Sequence, residues 1–125
     1  MLSYFTVGTN NLPAATRFYD ALMADMGATK VSEFERGTAW GWGIGTPMFI
    51  IMTPFDQNPA TVGNGTMVSF DATSPEQVNA LHAKVLAMGG SDEGAPGMRG
   101  EALYVGYCRD LDGNKMNFIH YLPPK

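Results

Sequence analysis

Residues 74–90, SPEQVNALHAKVLAMGG, predict an amphipathic helix with recognisable start and stop signals at its two ends. Ser74 and Gln77 have the spacing of a capping box, and Pro75 stands at the first helical position, where a missing N–H costs little. The glycines at the end of the segment are typical of a helix stop. Apolar residues recur at helical spacing and form one stripe, which consists of Val78, Leu81, Val85 and Met88.

NLPAATRFYDALMADMG, at residues 11–27, repeats this pattern 63 positions earlier. Asn10 or Asn11 offers the cap, Pro13 lies in the first turn, and Gly27 ends the helix. The aligned pairs are Asn11 with Ser74, Ala15 with Val78, Phe18 with Leu81, Leu22 with Val85, and Gly27 with Gly90. An internal repeat of this size predicts two modules related by a pseudo-twofold axis, each completing the core of the other.

Segments typical of strands surround both helices. Residues 3–7 and 66–70 precede the two helices, short strand-like runs lie between residues 29 and 52, and two more lie at 102–108 and 115–121. Each predicted helix therefore follows one strand and precedes several others.

The chain length of 125 residues predicts a single domain spanning 1–125. Residues 54–65 contain two prolines and two glycines and few apolar residues. We expect module one at 1–57, a linker at 58–63 and module two at 64–125.

Composition predicts a cytoplasmic protein that binds neither nucleic acid nor membrane. The net charge is −4 and the eight Lys and Arg residues are scattered, which disfavours phosphate neutralisation. The longest apolar run, residues 48–52, is too short to span a bilayer, and the N-terminus lacks a signal-peptide pattern. The single cysteine, Cys108, cannot form an internal disulfide, which suits a reducing compartment.

Several local patterns favour structural roles over chemistry. WGWGIG at 40–45 lacks the following helix that a phosphate-binding loop needs, so we expect glycines flanking indoles in a strand or turn. Residues 110–114 have the spacing of a calcium loop, but Lys115 and Tyr121 stand where that loop needs Gly and Glu. A hairpin turn is predicted there instead.

The two histidines and the cysteine are predicted to be structural. His82 is expected to be a partly exposed helix residue, and His120 a strand-end residue that points toward the helix layer. Cys108 has no neighbouring histidine in the sequence and is expected to be a buried thiol. No Gly-x-Ser-x-Gly elbow is present.

An ordered set of motifs covers nearly the whole chain. They are MLSYFTV at 1–7, NL at 11–12, RFYD at 17–20, NGT at 64–66, VSF at 68–70, GAPGMR at 94–99 and RDLDGNK at 109–115. The set resembles the small, glyoxalase-like bacterial branch of the vicinal oxygen chelate superfamily, which includes glyoxalase I, extradiol dioxygenases and the bleomycin and fosfomycin resistance proteins. The resemblance implies an α+β fold of two tandem βαβββ modules with pseudo-twofold symmetry, which form a curved, cup-like mixed sheet with helices outside.

The resemblance also implies a divalent metal, held by His or Gln on the first strand of each module and by Glu on the last. With an offset of 63 for the first strands and 68 for the last, these positions fall on Tyr4, Met67, Phe49 and Asn117. Such side chains do not form a ligand set for a hard divalent cation. We therefore predict no metal ligands and no cofactor, and a divalent metal is expected only if this alignment is wrong. Asn117 also cannot serve as the general base that glyoxalase-type isomerisation needs.

Strand alternation predicts which residues line the cup. The predicted ligand-binding residues are Tyr4, Thr6, Trp42, Phe49, Met67, Ser69 and Asn117. Tyr4 and Asn117 are expected to orient a small, partly aromatic metabolite or drug by hydrogen bonds, and Phe49, Met67 and a tryptophan to supply apolar contact. Trp40 and Tyr104 are further candidates for stacking.

Two other functions stay open at this point. One is a metal-dependent enzyme, lactoylglutathione-lyase-like or dioxygenase-like, with ligands relocated to His120, Glu101 or Asp71; no catalytic residue can be assigned. The other is a protein-interaction module whose cup is filled by its own side chains. The resemblance further implies a homodimer.

Overall fold

Each half of the chain folds into one four-stranded mixed sheet and one helix. The computed structural model describes residues 1–123 and divides into two compact units, Met1–Val62 and a second that begins at Gly63. The predicted end of module two at residue 125 lies outside the described residues.

The elements follow the same order in both units. The first contains β1 (Tyr4–Gly8), α1 (Leu12–Asp25), β2 (Thr29–Phe34), β3 (Gly37–Gly41) and β4 (Met48–Met52). The second contains β5 (Val68–Asp71), α2 (Pro75–Ala87), β6 (Ser91–Arg99), β7 (Leu103–Arg109) and β8 (Lys115–Tyr121). The strand orders are β1-β4-β3-β2 and β5-β8-β7-β6, with the first and last strands of each unit parallel and the other pairs antiparallel. The predicted α+β fold of two βαβββ modules is confirmed.

Both helices begin at the predicted caps. The side chain of Asn11 accepts a hydrogen bond from Ala14 N at 3.1 Å, and Ser74 accepts one from Gln77 N at 3.1 Å. The Gln77 side chain turns back to accept from Thr73 N at 2.6 Å, one residue before the cap. Each cap satisfies an N–H that the helix leaves unpaired, which is typically worth about 1 kcal/mol.

Aromatic side chains fill the space between α1 and its sheet. The ring centroids of Tyr19 and Phe49 lie 4.7 Å apart, and those of Phe49 and Phe5 lie 5.4 Å apart. Trp40 is buried beside them and donates from Nε1 to Asp20 at 3.0 Å. Burial of one large apolar side chain contributes roughly 1.5–3 kcal/mol, so this cluster fixes the helix on the sheet.

His82 belongs to the corresponding core between α2 and the second sheet, where it is only 5% exposed. Its Nε2 lies 3.0 Å from Asp92 Oδ1 and 3.1 Å from the carbonyl oxygen of Tyr107. Both partners are acceptors, so Nε2 carries a hydrogen and donates. The prediction of a partly exposed histidine is wrong, because bonding to β6 and β7 draws the ring into the core.

The edge strand β6 has no counterpart among the strands predicted from the sequence. It contains Gly94, Pro96 and Gly97, which are residues that disfavour strands. An edge position tolerates proline because one side of the strand needs no ladder hydrogen bonds, and the register with β7 shifts on both sides of Gly94.

The turn between β7 and β8 is built around Asp110, which is 5% exposed. Its Oδ1 accepts from the backbone N–H groups of Asp112 and Asn114, both at 2.9 Å. The predicted hairpin turn is confirmed. The WGWGIG segment also lies in β3 and the turn that follows it, as predicted, and the next element is a strand.

The parallel strand pairs define how the two units correspond. Thr9 N donates to Met52 O at 3.0 Å, and Ala72 N donates to Ile119 O at 2.8 Å. Thr9 matches Ala72 at the predicted offset of 63, which makes Met52 the counterpart of Ile119 at an offset of 67. The offset of 68 predicted for the last strands is therefore wrong by one residue.

None of the described helices is long and apolar enough to cross a membrane.

Candidate functional site

We call the side of each sheet that is turned away from its own helix the far face. In the first unit, the contacts of Phe5, Trp40 and Phe49 with α1 identify the helix side. Alternation along the strands then places these residues on the far face: Tyr4, Thr6, Gly37, Ala39, Gly41, Met48, Ile50 and Met52.

In the second unit, contacts with α2 identify the helix side in the same way. A Cβ added at Gly106 would meet the His82 ring, and Tyr104 donates from its hydroxyl to Asn79 of α2 at 2.7 Å. The far face of this unit therefore carries Ser69, Asp71, Leu103, Val105, Tyr107, Arg109, Lys115, Asn117, Ile119 and Tyr121.

The one-residue correction moves Phe49 off the far face. Phe49 is 1% exposed and packs against Tyr19 of α1. The residue that corresponds to Asn117 is Ile50, which pairs with Thr6 as Asn117 pairs with Ser69. The facing predicted for Phe49 is wrong, because five consecutive apolar residues in β4 carry no alternation from which to read it.

The three candidates for aromatic stacking also lie away from the far faces. Trp40 and Tyr104 contact the helices of their own units. Trp42 follows the end of β3 and donates from Nε1 to Met26 O at 3.0 Å, so its indole is tied to the end of α1. Its exposed fraction is 37%.

The remaining predicted site residues lie where alternation placed them. Tyr4 and Thr6 are exposed on β1, and Ser69 is exposed on β5. Met67 directly precedes β5, has the same parity as Ser69, and is 41% exposed. By strand parity these residues lie on the far faces, and their role in ligand binding stays a prediction.

Asn117 is the most unusual of the predicted site residues. It is 3% exposed, and its Oδ1 is buried without a hydrogen-bond partner among the described residues. It lies at the centre of the far face of the second unit, opposite Ser69 on β5 and Tyr107 on β7. A buried acceptor without a donor costs about 1–3 kcal/mol, so native proteins seldom retain one without a use for it.

The corresponding row in the first unit has no such group. In the first unit Ile50 pairs with Thr6 and Ala39. In the second unit Asn117 pairs with Ser69 and Tyr107 in the same way. The two central rows are therefore paired alike and differ in chemistry: Ile50 and Ala39 are apolar, whereas Asn117 carries an amide and Tyr107 a phenol.

A pocket of about 520 Å³ lies at one end of the far face of the first unit. Its lining includes Val31, Gly41 and Met48 from three strands, together with Leu2 and Ile44 from the adjoining segments. Volumes of 300–1,000 Å³ are usual for small-molecule sites.

The positions at which the family resemblance implies a metal carry side chains that do not suit a divalent cation. With the corrected offset, these positions are Tyr4, Met67, Ile50 and Asn117, which offer a phenol, a thioether, an aliphatic group and an amide. Within residues 1–123, no group of three or more His, Cys, Asp and Glu residues could hold a metal ion.

The proposed relocated ligands are not gathered together either. His120 contacts the carbonyl oxygen of Ala72 through Nδ1 at 3.0 Å and has helix-side parity on β8. Asp71 has far-face parity on the neighbouring β5, and Glu101 is exposed in the turn between β6 and β7. His120 and Asp71 therefore point to opposite sides of one sheet.

Cys108 is fully buried on the helix side of β7, as predicted. Burial, followed by the nearby carboxylates of Asp110 and Asp92, raises the pKa of its thiol to about 12. The thiol stays protonated at neutral pH, so it is a packing residue and a poor nucleophile.

Comparison with known proteins defines the family. The model of the Glyoxalase/Bleomycin resistance protein/Dioxygenase superfamily matches residues 1–118. A glyoxalase/bleomycin resistance protein from Albidiferax ferrireducens is 40% identical, with a TM-score of 0.87 over 96% of this chain and 98% of that one. The chain therefore belongs to the Glyoxalase/Bleomycin resistance protein/Dioxygenase superfamily.

More distant solved structures share the fold. A family enzyme from Burkholderia phytofirmans is 18% identical, with a TM-score of 0.76 over 94% of this chain and 96% of that one. A lactoylglutathione lyase from Agrobacterium tumefaciens is also 18% identical, with a TM-score of 0.70 over 96% and 92% of the two chains. No protein with a curated function matches the chain.

Sequence analysis did not single out the cationic and aromatic neighbours of Asn117. Lys115 shares its strand and parity, and Tyr107 lies directly opposite. The parity of Lys115 was available from the sequence. The position of Tyr107 depends on the register between β7 and β8. The position of Arg99 depends on β6, a strand whose composition disfavours strand formation.

Proposed function

We propose that this chain is a metal-independent member of its superfamily that binds a small, partly aromatic metabolite or drug on the far faces of its sheets. The observation that carries the proposal is Asn117. It stands at a position where the superfamily holds a metal with a carboxylate, and here the side chain is a buried amide whose oxygen has no partner among the described residues.

The chemistry of the other positions supports a site without a metal. None of the side chains of Tyr4, Met67 and Ile50 supplies the carboxylate that Asn117 lacks. An uncharged set of this kind favours apolar contact with a ligand and a few oriented hydrogen bonds, which is the usual composition of a small-molecule site. The pocket beside Met48 adds apolar volume in the first unit.

Melting temperature tests this proposal, because a ligand that binds only the native state stabilises it. The purified protein would be screened with aromatic acids, phenols and antibiotics, each with and without EDTA. We expect at least one class of compound to raise the melting temperature in a saturable way that EDTA does not change. Stabilisation that appears only with an added divalent metal, or no stabilisation by any compound, would contradict the proposal.

We also propose that the chain forms a homodimer, as the family resemblance implies. Large apolar side chains on or beside the first sheet support an interface, since Tyr4, Val31 and Phe34 are 54%, 56% and 43% exposed. Light scattering coupled to size-exclusion chromatography is expected to give twice the 13.5 kDa mass of one chain. A monomeric mass across the accessible concentration range would contradict it.

A further inference from the structure

Two cations lie over one aromatic ring on the far face of the second unit. The Arg99 guanidinium carbon is 5.9 Å from the centroid of the Tyr107 ring, and Lys115 Nζ is 5.5 Å from it. Among the described residues, neither cation forms an ion pair with a carboxylate. Both cations therefore lie beside this ring, Arg99 reaching it from β6 and Lys115 from β8.

The backbone of β6 makes room for this arrangement. Arg99 folds back along its own strand and donates from Nη2 to Ala95 O at 3.0 Å. A Cβ at Gly97 would lie 3.3 Å from Arg99 Nη1, and a Cβ at Gly94 would lie 3.3 Å from the Tyr107 ring. Glycines at both positions therefore let the guanidinium lie flat and reach Tyr107.

The negative charge of Glu93, near this patch, is already paired with another cation. Glu93 pairs with Arg109, which also donates to Gly113 O at 2.8 Å. The hydrogen bond that Arg109 Nε donates to the Glu93 carboxylate and the charge of Arg109 lower the pKa of Glu93, and Lys115 contributes more weakly through space. Glu93 and Arg109 cancel each other, so Arg99 and Lys115 leave the patch with a net positive charge.

Asn117 supplies the complementary polar group. It lies two residues from Lys115 on the same face of β8 and directly across from Tyr107. Lys115 and Asn117 are spaced about 7 Å apart along β8, as alternate residues of a strand are. Val105 and Ile119 lie on the same face and are buried there.

We propose that the ligand of this face is a small aromatic carboxylate with a hydroxyl or amino group at its far end. Arg99 and Lys115 bind the carboxylate, the aromatic ring packs beside Tyr107, and the far-end hydroxyl or amino group donates to Asn117 Oδ1. This inference rests on the proposed metal-independent binding function and specifies the chemistry of its ligand. A carboxylate matches the planar fork of the guanidinium and the point charge of the ammonium group.

The test is calorimetric titration of the full chain, without metal, with 4-hydroxybenzoate and 4-aminobenzoate as probes. Benzoate, which lacks the far-end donor, and 4-hydroxybenzyl alcohol, which lacks the charge, are the matched controls. We expect the probes to bind at least tenfold more tightly than either control. Their affinity should also fall with added salt, because part of the attraction is between charges.

Variants separate the two ends of the site. Arg99→Gln and Lys115→Gln should each weaken binding of 4-hydroxybenzoate about tenfold and leave 4-hydroxybenzyl alcohol unaffected. Asn117→Leu should bring 4-hydroxybenzoate down to the affinity of benzoate. Lys84→Gln, on α2, removes the same charge elsewhere and is expected to change nothing. Melting temperatures of all variants verify that they are folded.

Two results would overturn the inference and have different consequences. If neutral aromatic compounds bind as tightly as the acids, or the charge variants bind the acids normally, the ligand class is wrong while metal-independent binding stands. If neither acid binds at millimolar concentration and no neutral compound raises the melting temperature, the inference and the proposed function both fail.

Discussion

Replacing Asn117 with leucine should stabilise the protein. Asn117 is 3% exposed and its Oδ1 has no hydrogen-bond partner among the described residues. Leaving a buried polar group unpaired costs about 1–3 kcal/mol, and an apolar group of similar shape removes that cost. Some strain offsets the gain, since the added branch must fit between Ser69 and Tyr107. We expect a net gain of about 1–2 kcal/mol in the free energy of unfolding.

For a chain of this size, about 1 kcal/mol shifts the melting temperature by roughly 4 °C, so Asn117→Leu should raise it by about 4–8 °C. Urea unfolding followed by circular dichroism gives the free energy, and calorimetry gives the midpoint.

Asn114→Leu is the matched control for Asn117→Leu. Asn114 donates from Nδ2 to the Asp110 carboxylate at 3.0 Å, and loss of a hydrogen bond to a charged group costs about 1.5–3 kcal/mol. The two Asn→Leu substitutions should therefore shift stability in opposite directions. Destabilisation by Asn117→Leu of more than about 1 kcal/mol would refute the reasoning, because it would mean that the Asn117 oxygen has a donor in the native protein.

Three further outcomes follow from the structure. Cys108, whose pKa is raised to about 12 by burial, should not react with a thiol reagent such as DTNB at pH 8 until denaturant is added; rapid labelling of the native protein would contradict its burial. Ser74→Ala should destabilise the protein by about 1 kcal/mol in urea unfolding, since it removes the cap of α2, while an unchanged midpoint would show that the cap is dispensable. The hydrogen bond from the Gly94 N–H lowers the pKa of Asp92, desolvation opposes this, and His82 lowers the pKa further, so the net shift is downward. The stability that the Asp92 carboxylate confers is therefore fully present above its unfolded pKa of about 3.9 and is lost as the pH falls through the folded pKa. Asp92→Asn should flatten the acid limb of the stability profile, and an unaltered limb would contradict that assignment.

The helices and their order could be predicted because their signals are local. Ser74 and Asn11 cap the helices through contacts three residues away, and the apolar stripes follow the helical period. The repeat in the sequence then made two similar modules the natural expectation. None of these inferences required knowledge of strand pairing.

The edge strand β6 could not be predicted because its signals are not local. Its sequence, SDEGAPGMR, has the composition of a loop, and it is a strand because β7 supplies hydrogen bonds along one side. Arg99 reaches the Tyr107 ring only through that pairing. The position of Arg99 beside Tyr107 was therefore hidden from sequence analysis.

The facing of the strand residues was predicted only in part, also because strand pairing is not local. Tyr4, Thr6 and Ser69 lie on or beside the first strands, for which the predicted offset of 63 holds. Phe49 lies within Met48–Met52, where every residue is apolar, so either face was compatible with the pattern. The registers of the parallel strand pairs fixed the correspondence and made Ile50 the counterpart of Asn117.

Metal stoichiometry is the most direct test of a metal-independent site. The protein would be purified without chelators, offered iron, nickel, zinc and manganese in turn, desalted, and measured by mass spectrometry. Because Tyr4, Met67, Ile50 and Asn117 do not form a ligand set for these ions, we expect far less than one metal ion per chain in every case. One tightly held ion per chain after desalting would contradict the proposal and would make a metal-dependent enzyme the better description of this protein.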